Sequence, residues 1–166
     1  MAAAEGWDAV TTRRLSTEIE YSQPVLYKHF TGMEQIAEAV AIDGFGELAD
    51  VIRAARSRAG TAGGGALTRI AHAYLDFARD NPAVYNAMFT RATTLRFAAQ
   101  DTPPQLTAAF AELRQAIGVV ADEQDADTLT EVFWAALHGL VTLSGADRLR
   151  PGYDSDRLQL LVNQFS

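Results

Sequence analysis

The chain has 166 residues, 48% of them apolar and 21% charged, the composition of one ordinary folded domain or of a small module joined to a larger one. It contains no cysteine, which excludes a disulfide framework, a thiolate zinc site and a cysteine nucleophile, and fits a reducing, cytoplasmic setting. A net charge of −7 argues against a surface that coats nucleic acid throughout, but it leaves room for a local patch that touches phosphates.

The opening MAAAEGWD has neither the basic nor the apolar region of a secretion signal, and VFWAALHGLVTLSGA, from Val132, is too short to span a bilayer. No membrane partner is expected. Alanine and leucine dominate and no stretch alternates with the period of a strand, so an all-α fold is predicted. Thr11-Thr12 opens a short helix in which Leu15 and Ile19 share a face. Tyr21-Ser22 interrupts it, with Ser22 at the N-cap of a second short helix that buries Leu26 and Phe30. Thr31-Gly32-Met33-Glu34 has the spacing of a capping box. It introduces a long helix with an inward stripe of Ile36, Val40, Gly44 or Phe45, Leu48 and Ile52.

SRAGTAGGGA (57–66) reads as a flexible loop, and a helix follows from about Leu67 to Asn81-Pro82, with Pro82 opening the next. Breaks at Asp101-Thr102-Pro103-Pro104 and at ADEQDAD bound a helix reaching about Ala121. A helix containing EVFWAALHGLVTL comes next, then Arg150-Pro151-Gly152 and a last helix from about Ser155. This order predicts two modules, residues 1–45 and 46–166, joined through the long helix.

The segment SQPVLYKHF (22–30) concentrates the polar chemistry. With Leu26 and Phe30 inward, Gln23 and Tyr27 stack one turn apart on the outside, with Pro24 and Lys28 beside them and His29 flanking. Amides and cations of this kind read base edges in a DNA major groove, and hydroxyls hold phosphates. The preceding helix offers Thr12 at its start, followed by Arg13 and Arg14. Together the two helices read as a helix-turn-helix. The plainer alternative is an ordinary solvated helix with Tyr27 packed on a neighbour.

TTRRLSTEIEYSQPVLYKHFTGMEQI resembles the DNA-binding domain of the TetR family of bacterial transcriptional regulators, closely over about residues 6–45. The resemblance implies a phosphate clamp of Tyr27 and His29, base contacts from Gln23, Pro24 and Lys28, and contacts at the groove edge from Thr12 and Arg13, with Ser22 in the same set. Three departures stand out. Glu20 occupies a turn position usually held by glycine, so it is expected in a left-handed conformation. Met33 replaces a lysine common at the start of the fourth helix. Only AAAEGW represents the family's first helix, so the chain is expected to be a shortened form. Arg13, Arg14 and Lys28 against Glu5, Asp8, Glu18 and Glu20 leave residues 1–32 at a net −1.

In the C-terminal part, Ala135, Gly139, Thr142 and Ala146 form a small-residue stripe, and Leu158, Leu161, Val162 and Phe165 repeat at helical spacing. Both sets are expected in a homodimeric four-helix interface. Trp134 with His138-Gly139 resembles the WHG-type C-terminal domain of part of the same family. Tyr74, Phe77, Tyr85, Met88, Phe89, Phe97 and Trp134 are either a packed core or the lining of a cavity for an unidentified effector, and His138 is either a satisfied core histidine or a ligand contact. Arg91 and Arg96 are candidates for the mouth of such a cavity. His29, His72 and His138 are too scattered for a metal motif, and no nucleophile elbow or phosphate loop occurs, so neither cofactor nor catalysis is expected. The reading is a ligand-released repressor acting as a homodimer on a pseudo-palindromic double-stranded DNA operator. Its rival is a small-molecule-binding or enzymatic helical domain with an incidental helix-turn-helix.

Overall fold

The chain adopts the helical period that its apolar spacing dictates. In a computed structural model that describes residues 1–20, 22–58, 63–91, 95–97 and 99–165, all regular structure among the described residues is helical. A short α1 (Ala2–Glu5) is followed by a tight 3-10 turn (Trp7–Ala9), then α2 (Thr12–Glu18) and α3 (Gln23–His29). Thr11 caps α2 by accepting the Arg14 N–H. Glu20 closes the turn with φ of 55°, the left-handed conformation expected at that position. Tyr21 lies outside the described residues.

Two local expectations need correction. Ser22 holds the N-cap position of α3, but its side chain makes no capping bond. The residue at the N-cap of the long helix α4 (Met33–Ser57) is Gly32, and the side chain reaching back is that of Gln35, not Glu34. Its Oε1 accepts the Thr31 N–H at 2.7 Å. A side chain four residues on reaches Thr31 because Gly32 leaves the helix start with no side-chain oxygen of its own.

α5 (Gly63–Asp80) begins four residues before the expected Leu67, so residues 63–66 are helical and not loop, while residues 59–62 lie outside the description. Pro82 opens α6 (Pro82–Asn86), which widens into a π-helical turn (Ala87–Arg91). Then follow α7 (Pro104–Ile117), α8 (Ala126–Gly145), capped by Asp125, and α9 (Asp154–Asn163).

The core lies around α4. Phe45, Leu48 and Ile52 are fully buried in one core with Leu67, Ile70 and Tyr74 of α5, Leu106 and Ile117 of α7, and Phe133 and Leu137 of α8. Each large apolar side chain removed from water contributes roughly 1.5–3 kcal/mol before chain entropy is counted. Gly44 lets α4 approach the α6–π segment closely. A Cβ there would sit 2.5 Å from Val84 Cγ1 and 2.9 Å from Met88 Sδ, so no side chain fits without displacing that segment. Glu112 of α7 is the one carboxylate buried among the described residues, and it accepts from Arg53 Nε at 2.8 Å and Arg56 Nη2 at 2.7 Å. Burial alone would raise its pKa, but the hydrogen bonds and charges of the two guanidinium groups together hold it below the ordinary 4.5.

The expected assignment of Leu158 and Val162 to a subunit interface is corrected by their burial. Both are almost fully enclosed within the single chain, on the face of α9 that packs against α5. The apolar surface left uncovered is different. Val132, Ala135 and Leu143 of α8, Ala146 just beyond its end and Leu160 of α9 are exposed, and Gly139, Leu161 and Phe165 are half-buried.

Candidate nucleic-acid interface and ligand cavity

α2 and α3 are seven residues each, too short to persist alone, and they are held by packing against each other. Val25, Leu26 and Phe30 are half-buried. Against them, Arg13, Ser22, Pro24, Lys28 and His29 are exposed, Tyr27 is 53% exposed, and Thr12 and Gln23 are half-buried. The Thr12 and Tyr27 hydroxyls lie 3.2 Å apart, joining two of the residues expected to contact phosphate across the two helices.

Arg14 is committed to holding the module together. It donates to both carboxylate oxygens of Glu5 at 2.9 and 2.7 Å and to the Ala9 carbonyl at 2.8 Å. Asp8 is paired with Arg91 at 2.7 Å, and the Trp7 indole N–H donates to the Ala83 carbonyl at 2.8 Å. The N-terminal segment is therefore tied to the α6–π segment of the larger body, a connection that local sequence reading missed. Arg91 serves that tie and does not line the cavity, and neither does Arg96. With those pairs set aside, Arg13 and Lys28 face Glu18 and Glu20, and the reader carries no net charge.

A cavity of about 610 Å³ opens between α5, the α6–π segment, α8 and α9. Leu75, Ala78, Pro82, Phe89, Leu140, Val141 and Leu149 form its apolar wall, and Tyr85, His138, Thr142, Asp154 and Arg157 are among its polar groups. Of the eight residues expected there, Tyr85, Phe89 and His138 line it. Tyr74 is buried behind Tyr85, Phe77 belongs to the core, and Met88 packs toward Gly44. Phe97 and Trp134 sit in an adjoining ring cluster, with Phe97 edge-on to Phe45 at 5.3 Å and to Trp134 at 5.0 Å. Of the six expected aromatics only Tyr85 and Phe89 lie on the wall, because the wall depends on which side of each helix a ring occupies. Thr142, assigned to the interface stripe from spacing, lines the cavity. Asp154 and Arg157 of α9 were also missed, because only the fold brings α9 beside α5 and α8.

The cavity's polar end is a relay. Trp134 Nε1–H donates to the Tyr74 hydroxyl at 3.0 Å, the Tyr74 and Tyr85 hydroxyls are 3.0 Å apart, and the Tyr85 hydroxyl meets His138 Nδ1 at 2.7 Å. Burial pushes the Tyr74 phenol up to about 12, raises Tyr85 as well and lowers His138. Among the described residues no group of three or more His, Asp or Glu could hold a metal, and no helix is long and apolar enough to cross a membrane.

A pair of short helices continued by one long helix into a helical body with an apolar cavity defines a helix-turn-helix fold class. The family described as "Bacterial regulatory proteins, tetR family" matches residues 1–40, and "Tetracyclin repressor-like, C-terminal domain" matches residues 67–163. The HTH-type transcriptional regulator Rv0681 of Mycobacterium tuberculosis is 32% identical over 143 residues, covering 84% of this chain and 62% of that protein. The HTH-type transcriptional regulator YobS of Bacillus subtilis is 30% identical over 143 residues, covering 86% of this chain and 72% of that protein. The chain thus spans less than two thirds of the first relative's length. A solved protein from Rhodococcus sp. RHA1 shares the fold with a TM-score of 0.77 at 21% identity, over 99% of this chain and 87% of that one. The chain belongs to the TetR family.

Proposed function

We propose that the chain is a cytoplasmic, homodimeric transcriptional regulator that represses from a pseudo-palindromic DNA operator and is released by a small-molecule effector. The observation that carries this reading is the hydroxyl pair of Thr12 and Tyr27, set among the exposed Arg13, Ser22, Pro24, Lys28 and His29. In this reading Tyr27, His29, Thr12 and Arg13 engage phosphates, and Gln23, Pro24 and Lys28 meet base edges. The dimer seam is the uncovered stripe of Val132, Ala135, Gly139, Leu143 and Ala146 with Leu160, Leu161 and Phe165, a face that a monomer would leave to water.

Release requires that the effector bind one conformation better than the other. The cavity wall supplies a route. Tyr85 and Phe89 lie on the α6–π segment, whose Val84 and Met88 pack at Gly44 of α4 and whose Ala83 and Arg91 hold Trp7 and Asp8. Moving that segment moves the reader.

Selection from a random duplex pool followed by footprinting should yield two protected half-sites about a dyad, with affinity that falls steeply as salt rises. Tyr27→Phe and His29→Ala should weaken all sequences alike, whereas Gln23→Ala and Lys28→Ala should shift base preference by roughly 1–3 kcal/mol. Unchanged binding in all four variants refutes the assignment. A Cβ at Gly139 meets no atom within 4 Å beyond its own helix backbone and chain neighbours, so Gly139→Leu directs bulk at the seam, with helical content as the check on the fold. Sedimentation should show a dimer before the change and a monomer of unaltered helical content after it.

A further inference from the structure

The relay behind the cavity has a direction, and that direction fixes what the cavity presents to a ligand. An indole N–H can only donate, so the Tyr74 oxygen accepts from Trp134. Tyr74 has no exposure, and its own hydroxyl hydrogen must still find an acceptor. Among the described residues its other hydrogen-bond partner is Tyr85, so Tyr74 donates to Tyr85 at 3.0 Å. Tyr85 is buried as well and passes its hydrogen to His138 Nδ1 at 2.7 Å. Nδ1 is then an acceptor and the imidazole is neutral with its hydrogen on Nε2. A proton on Nδ1 would force the chain of bonds to run backwards and leave the Tyr74 hydrogen facing a donor. The raised phenol pKa values and the lowered imidazole pKa agree with this pattern.

Among the described residues the Nε2–H has only a long contact, 3.4 Å, to the Thr142 hydroxyl, and both residues line the cavity. The wall around it is mostly apolar. The two cations that reach it are already satisfied: Arg79 by Asp76 at 2.8 Å and Asp80 at 3.0 Å, Arg157 by Asp154 at 2.9 Å. We infer that this cavity, resting on its reading as the effector site, takes an uncharged, largely apolar molecule carrying a ketone, ester or similar acceptor oxygen, held by the His138 Nε2–H. Trp134 and Tyr74 touch no ligand in this arrangement. They position the histidine's hydrogen by fixing the tautomer from behind.

The test uses the ¹⁵N-labelled protein and the two-bond proton–nitrogen correlation of its three histidines, with His29→Gln and His72→Gln for assignment. His138 should show a protonated Nε2 and an unprotonated Nδ1, and Trp134→Phe, which removes the obligatory donor, should give a mixture of tautomers. On the same resonances, 2-octanone should bind about tenfold more tightly than 2-methyl-1-octene, the factor expected for one neutral hydrogen bond, and octylammonium should bind more weakly than 2-octanone. A hydrogen on Nδ1, or equal affinity for the ketone and the alkene, overturns the inference and leaves the effector-site reading standing. If none of the three probes shifts His138, the cavity is not an effector site, and both readings fall.

Discussion

The reader and the body of this molecule are held by different means. Before Met33 only Val10 and Ser16 are buried among the described residues, and α2 and α3 span two turns each. From α4 onward, twelve large side chains are fully enclosed, and a buried carboxylate is clamped by two arginines. The body can fold on its apolar area. The reader borrows rigidity from two polar ties to the body, Trp7 to Ala83 and Asp8 to Arg91. An N-terminal module held this way opens locally at small free-energy cost compared with the body.

The comparison breaks most visibly at Phe45. It is wholly buried and meets Phe89 and Phe97 edge-on at 5.3 Å. Phe45→Ala should cost about 3–5 kcal/mol in urea unfolding and weaken both regions together, since α4 runs through each.

A smaller loss is expected at Glu112. Removing one member of a buried ion pair costs up to about 3–5 kcal/mol, and Glu112→Gln should fall below that range, because Arg53 is half exposed and keeps Asp50. The pH dependence has a definite sign. The folded carboxyl titrates below its ordinary 4.5, so its stabilisation is complete above that value and is lost as pH falls from there through the folded pKa. An acid titration of stability should therefore lose part of its slope in Glu112→Gln.

The smallest effect sharpens the contrast. Leu26 is half-buried in the reader, and Leu26→Ala should cost about 1 kcal/mol, less than a fully buried leucine would. Amide exchange should quicken in α2 and α3 and stay unchanged in α5, α7 and α8. Faster exchange throughout would show that the two regions open as one.

How much of this was legible follows the range of the interactions. Helix order, the proline start at Pro82, the left-handed Glu20 and the inward Gly44, Phe45, Leu48 and Ile52 of α4 are written in spacing and backbone chemistry within a few residues, while Ile36 and Val40 of the expected stripe are only half-buried. The exposure of Arg13, Pro24, Tyr27, Lys28 and His29 beside the half-buried Leu26 and Phe30 was legible because it follows from spacing within two short helices. The cavity was only half legible. Tyr85, Phe89 and His138 were marked, but Leu140, Val141 and Arg157 become wall residues only through the angles at which helices distant in sequence cross. Leu158 and Val162 show the same limit from the other side, since an amphipathic stripe announces burial without saying which neighbour supplies it. The helical Gly63–Gly65 run defied its composition, because a packed α5 outweighs a cost of about 1 kcal/mol per glycine.

The bond from the Trp7 indole to the Ala83 carbonyl also sets a timetable for synthesis. Its partners are 76 residues apart, and at a ribosomal pace of about 5–20 residues per second the acceptor is made roughly 4–15 s after the donor. During that interval the reader helices can emerge and find each other, but the anchor that fixes their position does not yet exist. Arg91, the partner of Asp8, arrives later still. The nascent molecule therefore fixes its N-terminal module once the α5 and α6–π part of the cavity wall has been made, and before α8 and α9, which supply the rest of that wall.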